Sequence, residues 1–393
     1  MSSKFPSLRS LAFSLTLAFL APAAGPAADL ESALTTLGKV GPEGQGNETA
    51  TQAWAAIAAV PADQLPRLLG AMNTANDRSR NYLFAAAAAI ADRQITSGAT
   101  LPLAALGDFL LDTRNEGRAR RLAYELLRRG DPAAAEALLP GLLDDPTSDL
   151  RREAVQRLVD NAAKTLADGR KDAAAVLYRQ AIDFARDADQ IETIAKPLKD
   201  LGRPIDLVQH LGFLTTWKVI GPFDNTANAG YPKVFPPETE RVFDAVYDGK
   251  DGKVRWTDFT TTHEMGMVDL NKAWAPLKEV TGYATTVFNS DVARPAEIRI
   301  GCKNGWKLWF NGQFIFGRDE YHRGAEIDQY RFPVELKAGP NTLLVKVTQN
   351  EQKEDWTVEW EFQLRLTDPT GKVLRSAPPQ ARVAALTPST RLP

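Results

Sequence analysis

Residues 306–312 read Trp306-Lys307-Leu308-Trp309-Phe310-Asn311-Gly312. Trp306, Leu308 and Phe310 alternate with Lys307 and Trp309, the period of two that a half-buried strand requires. Asn311-Gly312 then asks for two positive φ angles, the strongest short signal of a hairpin. The alternation sends Trp306, Leu308 and Phe310 to one face, inward, and Trp309 outward. Two further stretches repeat the pattern. Over 357–366, Val358, Trp360, Phe362, Leu364 and Leu366 alternate with Glu359, Glu361, Gln363 and Arg365. Leu343 to Val347 forms a return strand, launched by the turn Ala338-Gly339-Pro340-Asn341. Cys302 follows Ile298 and Ile300 at strand spacing, which makes it a buried core thiol. As the only cysteine it closes no internal disulfide.

Upstream the period changes. Asp29 to Leu214 is rich in Ala, Leu and Arg, and of the eight tryptophans only Trp54 lies there. Ala119, Leu122, Ala123, Leu126 and Leu127 fit i, i+3, i+4, i+7, i+8, as do Ala174, Leu177, Tyr178, Ala181 and Ile182. Polar turns at Asn76-Asp77, Asn115-Glu116 and Ser148-Asp149 each lead into an Arg-bearing helix, at spacings in the range of two-helix repeat units. Arg118, Arg121, Arg128, Arg129, Arg151 and Arg152 read as a solvated face paired with Glu116, Glu125 and Asp149, with a cationic ridge as the alternative. Pro197 marks a kink or restart. Gly202 stops a helix, and a short helix from Ile205 to Leu211 ends at Gly212.

The two halves carry resemblances. Ala296 to Ile300, Trp306 to Gly312, Pro333 to Asn341 and Leu343 to Val347 together resemble the galactose-binding-like jelly roll, with Phe310 where Leu is usual. The entry Trp217-Lys218-Val219-Ile220-Gly221-Pro222-Phe223-Asp224-Asn225 looks like the opening of this sandwich in large exported bacterial proteins. Asp149 to Val155 resembles the second helix of a HEAT repeat, and Gly169 to Ala185 looks like a tetratricopeptide unit; a non-repeating bundle stays open beside them. The fold class is therefore multidomain, α followed by all-β: an α-solenoid-like repeat domain and an antiparallel jelly-roll sandwich. The resemblance implies accessory sugar recognition of the kind found in exported glycoside hydrolases. It is good for fold and poor for function, because one sandwich hosts many roles.

The N-terminus has the layout of a secretory signal. Lys4 and Arg9 precede an apolar run from Leu11 to Ala21, too short to span a membrane, and small residues follow. This gives a signal peptide over 1–27, helices over 28–214, a sandwich over 215–370 and a flexible tail over 371–393. The protein is expected to be exported, periplasmic or extracellular, with no transmembrane anchor after cleavage. Lys+Arg total 47 against 49 Asp+Glu, so the basic footprint of a nucleic-acid binder is missing.

No specific catalytic motif stands out. His263-Glu264 lacks the second histidine of a zinc protease helix, and there is no nucleophile elbow or phosphate loop. His210 reads as structural. Asp224, Asn225 and Asp269 lack the spacing of a calcium loop, so neither metal nor cofactor is expected. The loop from Phe316 to Tyr330 is the best candidate site, because long loops on rigid scaffolds carry binding residues. Arg318, Tyr321, His322, Arg323 and Asp328 are its candidate ligand-binding residues, with Trp309 as an aromatic platform. Trp309 is either an open ring face for a sugar or a ring covered by another element; Asp328 either binds ligand or satisfies buried groups. The expectation is a non-catalytic binding protein for a glycan or envelope component. The alternatives are a scaffold that docks a protein partner on its helices, and an accessory part of a glycan-degrading hydrolase.

Overall fold

The computed structural model describes residues 26–378, so the signal-peptide reading and residues 379–393 fall outside the described residues. Helices come first: α1 (Pro26–Leu37), α2 (Asn47–Ala58), α3 (Leu65–Ala71), α4 (Asp77–Thr96), α5 (Leu103–Leu111), α6 (Gly117–Gly130), α7 (Pro132–Leu138), α8 (Ser148–Ala167), α9 (Lys171–Phe184), α10 (Ala188–Asp200) and α11 (Leu207–Leu211). The polar turns work as helix starts. Asn76 Oδ1 accepts from Ser79 N at 3.0 Å and Glu116 Oε2 from Ala119 N at 2.9 Å, each meeting a donor that the first turn leaves unpaired. Gly202 and Gly212 adopt φ of +72° and +71°, the left-handed conformation that ends a helix. Pro197 does not break α10: it lacks only its own N–H bond to the carbonyl of Thr193, and the helix runs on to Asp200.

The arginines that follow these turns do not all face water. Arg120 and Arg151 are buried. Arg80 Nε donates to Met72 O at 3.1 Å, Arg120 Nε to Leu110 O at 2.7 Å and Arg151 Nη1 to Asp145 O at 3.0 Å. In each case a cation closes carbonyls just upstream that the backbone leaves open. The solvated-face expectation holds for Arg121, paired with Glu125 at 3.0 Å, and for Arg152, paired with Asp189 at 2.6 Å. It fails for Arg151.

The chain divides into two compact units, one up to Leu138 and one from Leu139. The second holds α8 to α11 and the sheets. Its strands are β1 (Thr216–Asp224), β2 (Val246–Asp248), β3 (Lys253–Arg255), β4 (Thr257–Thr260), β5 (Val268–Asp269), β6 (Val280–Ser290), β7 (Arg294–Cys302), β8 (Gly305–Phe310), β9 (Gln313–Arg318), β10 (Tyr330–Leu336), β11 (Gly339–Gln349) and β12 (Glu361–Thr367). Two antiparallel sheets, ordered β4-β1-β6-β11-β8-β9 and β10-β7-β12-β5, face each other. Trp217, Phe288, Trp306, Leu308, Leu343 and Val345 of the first meet Ile298, Ile300, Cys302, Phe362 and Leu364 of the second in one buried core. The Cys302 thiol is pushed up to about 12 by burial and is inert. Asn311 and Gly312 take φ of +51° and +81°, so the β8–β9 hairpin turns as its sequence requires.

Two expectations, one of a strand and one of the tail, need correction. β12 begins at Glu361, not at Thr357, because Gln349 Nε2 donates to the carbonyls of Thr357 and Glu359 and bends that stretch around its amide. Residues 371–377 are not free either: Leu374 N donates to Leu366 O at 3.0 Å and Ala377 N to Asn289 O at 2.9 Å.

A second core covers the outer face of the six-stranded sheet. The insertion between β1 and β4 lays Phe235, Val254 and Trp256 over Ile220, Tyr283, Trp309 and Leu344. At its centre Lys346 is fully buried. Its Nζ donates to the carbonyls of Tyr231 (3.0 Å) and Lys233 (2.6 Å) and to Glu238 Oε1 (2.9 Å), with the rings of Phe235 and Tyr283 at 5.2 and 5.6 Å. Burial pulls this ammonium down to about 8, against the charge and hydrogen bond of Glu238. Between about 8 and the ordinary 10.5 the unfolded chain holds the proton that the folded protein has lost, so this group's contribution to stability rises with pH across that window. Lys346→Met leaves two carbonyls without their donor and the Glu238 carboxylate with only the Tyr283 hydroxyl, and should cost about 3–5 kcal/mol in urea denaturation. Adding Glu238→Gln should recover part of that loss, and the gap between wild type and Lys346→Met should widen from pH 8 upward.

Candidate functional site

Strand register puts the long connections at one end of the sandwich. Asp224 pairs with Val280, Gln349 with Val280, Gly305 with Thr348 and Trp306 with Arg318. The β1–β4 insertion and the connections 319–329 and 350–360 therefore leave from the same end as the 303–304 turn. The opposite end carries the tight turns at 291–293, 311–312 and 337–338.

The loop-bearing end stands on a buried polar platform. Asn225, Asn304, Thr348, Gln349, Asn350 and Thr357 are all buried. Asn225 Nδ2 donates to Gln349 O (3.0 Å), Asn304 Nδ2 to Gln349 Oε1 (3.2 Å) and Asn350 N to Gln349 Oε1 (3.1 Å). Thr348 Oγ1 donates to Gly305 O at 3.1 Å. Satisfied amide networks of this kind hold loops in one arrangement. Tyr321 enters the network through its hydroxyl, 2.9 Å from Thr348 Oγ1 and 3.3 Å from Asn225 Nδ2. His322 follows, its Nε2 2.8 Å from Asn350 Oδ1 and its ring edge-on to Trp356 at 5.6 Å. Trp356 is 62% exposed, more than any other large hydrophobic side chain among the described residues.

The six residues expected from sequence separate into three groups. Tyr321 and His322 reach the surface beside Trp356. Arg318 and Arg323 both turn to Glu320, at 2.7 and 3.4 Å, and the Arg318 hydrogen bond holds the Glu320 carboxyl below its usual range. Trp309 and Asp328 are both buried, which takes the covered and the structural alternative over the ligand-binding one. Trp309 does point away from the inter-sheet core, as its spacing requires, but the insertion covers it and leaves it 9% exposed. Asp328 is buried among cations: Arg365 donates to both of its oxygens at 2.7 and 2.6 Å, and Arg299 Nη1 donates at 2.7 Å. Burial raises its carboxyl, but the hydrogen bonds and charges of Arg365 and Arg299 outweigh that and hold it below the usual range.

Sequence reasoning missed Trp356 and the amide platform. The signal for Trp356 was present: it is a lone aromatic after Glu351-Gln352-Lys353-Glu354-Asp355, a charged run typical of a loop tip. Nothing local marks Asn225 or Asn304 as partners of Gln349, since both lie far from it in the chain. Among the described residues no three His, Cys, Asp or Glu side chains gather as a metal site, and no helix is long and apolar enough to cross a membrane. A wider cleft of about 820 Å³ runs between α10 and residues 261–265. There His263 Nδ1 accepts from Met265 N at 3.1 Å, so that ring nitrogen serves its own turn.

No family model matches the chain, and no curated protein matches it. Solved structures with partial likeness include the PA14 domain of the antifreeze protein MpAFP, at 12% identity and a TM-score of 0.20, covering 24% of this chain and 48% of that one. A beta-glucosidase from Kluyveromyces marxianus matches at 11% identity and a TM-score of 0.26, over 38% of this chain and 17% of its own. The GH31 alpha-xylosidase from Xanthomonas citri matches at 9% and 0.20, over 38% and 16%. The chain thus spans less than half the length of each, and scores this low leave the sandwich assignment to rest on its own register.

Two substitutions check the buried placements. Trp309→Ala should lower stability by about 3–5 kcal/mol, the range for truncating a large buried aromatic. Asp328→Ala leaves the buried Arg365 guanidinium without a carboxylate, while Arg299 keeps Glu297 at 2.7 Å, and should cost a similar ~3–5 kcal/mol. The Asp328 contribution is present in full above the ordinary carboxylate range and is lost only as pH falls through its lowered value, so the difference between wild type and Asp328→Ala should shrink in strong acid.

Proposed function

We propose that this is an exported, non-catalytic binding protein that takes a carbohydrate on the loop-bearing end of its sandwich. The observation that carries the reading is Trp356. A large aromatic ring, open to solvent, stands beside His322 over a platform whose amides are mutually hydrogen-bonded. A sugar's C–H face packs on such a ring, and its hydroxyls meet polar groups at the rim. Tyr321, His322 and the Glu320 cluster supply that rim. The resemblance of the strands to galactose-binding-like modules supports the same ligand class, and the layout of residues 1–27 supports export.

A panel of soluble oligosaccharides and insoluble polysaccharides, tested by pulldown and calorimetry on the full chain, examines the reading. Trp356→Ala should weaken binding by about 1–3 kcal/mol, as loss of an aromatic anchor does. It should leave stability within about 0.5 kcal/mol, because the ring is mostly in water. Binding indifferent to Trp356→Ala, or capture of a protein in place of any glycan, would overturn it.

A further inference from the structure

Within the unit that begins at Leu139, a cavity of about 310 Å³ opens where α9 to α11 meet the segment after β12. Four permanent cations line it: Arg186, Arg365, Lys372 and Arg375. Arg365 and Arg186 are buried, whereas Lys372 and Arg375 are exposed. The buried pair is fixed in place by the fold. Arg186 Nη1 donates to Thr370 Oγ1 at 2.7 Å and its Nη2 to Asp144, while Arg365 is held by Asp328 and by Leu211 O at 3.1 Å.

The charge on the lining of this cavity does not cancel. Asp144 serves Arg186 and lies 3.9 Å from Lys372, Asp328 serves Arg365, and Asp183 is the remaining carboxylate of the wall. On the wall itself four cations meet two carboxylates, Asp144 and Asp183; Asp328 and Asp368 stand behind it, against Arg365 and Arg186. His210 lines the same space; burial lowers it first, Asp183 raises it, and Arg375 and Arg365 lower it further. The two exposed cations also keep donors free. Arg375 gives Nη2 to Gln209 O at 2.8 Å, and the Lys372 ammonium makes no hydrogen bond among the described residues.

We propose that this cavity binds a small oxyanion, the phosphate, sulfate or carboxylate group of a free ion or of a small organic molecule. The locked guanidiniums of Arg186 and Arg365, their donors largely taken by the protein, give a fixed positive wall, and the charge-assisted hydrogen bonds to the anion come from Lys372 and Arg375. Lys372 and Arg375 close over the anion from the solvent side, where unpaired donors remain. Phe184, Ile191 and Val373 complete the wall, and the volume exceeds that of the anion alone. The site is separate from Trp356 and does not depend on the carbohydrate reading.

Calorimetry on the full chain at low ionic strength tests it, with inorganic phosphate, sulfate and a hexose 6-phosphate as probes and chloride as the control. Saturable binding of at least one probe is expected, about tenfold weaker in Lys372→Ala and in Arg375→Ala, the effect of losing one charge-assisted hydrogen bond. Arg375→Lys should fall between. Both positions are exposed, so the unliganded variants should melt with wild type. Tighter binding of the hexose phosphate than of phosphate assigns the site to an organic anion; equal binding assigns it to the free ion. No saturable binding of any probe, or binding unchanged in both alanine variants, overturns the proposal.

Discussion

Arg365 is fully buried on the outer face of β12, and a guanidinium cannot shed its charge. Its donors must all find acceptors, or the strand cannot be covered. They find Asp328 from the 319–329 connection, the Leu211 carbonyl at the end of α11 and the Arg186 carbonyl just after α9. One side chain therefore obliges a sheet, a loop and a run of helices to assemble together. This is why α8 to α11 belong to the same compact unit as the strands, although composition changes from helical to strand type only at residues 212–216.

The opposite outer face repeats the logic with a different cation. Lys346 stands at an outward position of β11 and is met by two carbonyls and a carboxylate of the insertion. Without that cover the ammonium would face solvent, and Trp309 and Tyr283 would lie bare. With it, the sandwich becomes the middle of a thicker body. Both buried cations are weak evidence of net stability, since an apolar replacement of a whole buried pair is often as good. What they fix is which cover fits.

The same covers decide where a ligand can reach. The inner face is a dry core, and both outer faces are occupied where Arg365 and Lys346 stand. The loop-bearing end stays open. There the chain keeps Trp356 in water and holds its neighbour His322 by side-chain amide hydrogen bonds from below, which presents a rigid aromatic ring. Asp328 contributes from a distance: by anchoring the base of the 319–329 connection to the sheet, it limits where Tyr321 and His322 can go.

The sequence by itself determined the order of the elements and the direction of each strand residue. Alternation of period two, the Asn311-Gly312 turn, the helical stripes and the glycine stops are local, and local sterics and burial of one face suffice to read them. Trp306, Leu308, Phe310 and Cys302 lie where that period puts them. Only the tertiary structure decided what covers the other face. A period of two says that Trp309, Lys346 and Arg365 point away from the core; it does not say whether water or another segment waits there. Lys and Arg at outward positions look solvated in sequence, and here two of them are among the most deeply buried side chains. Their acceptors lie more than a hundred residues upstream for Lys346, at Tyr231, Lys233 and Glu238, and more than a hundred and fifty for Arg365, at Leu211 and Arg186. Partners at that separation leave no periodic mark, so the chain must be folded before they can be seen.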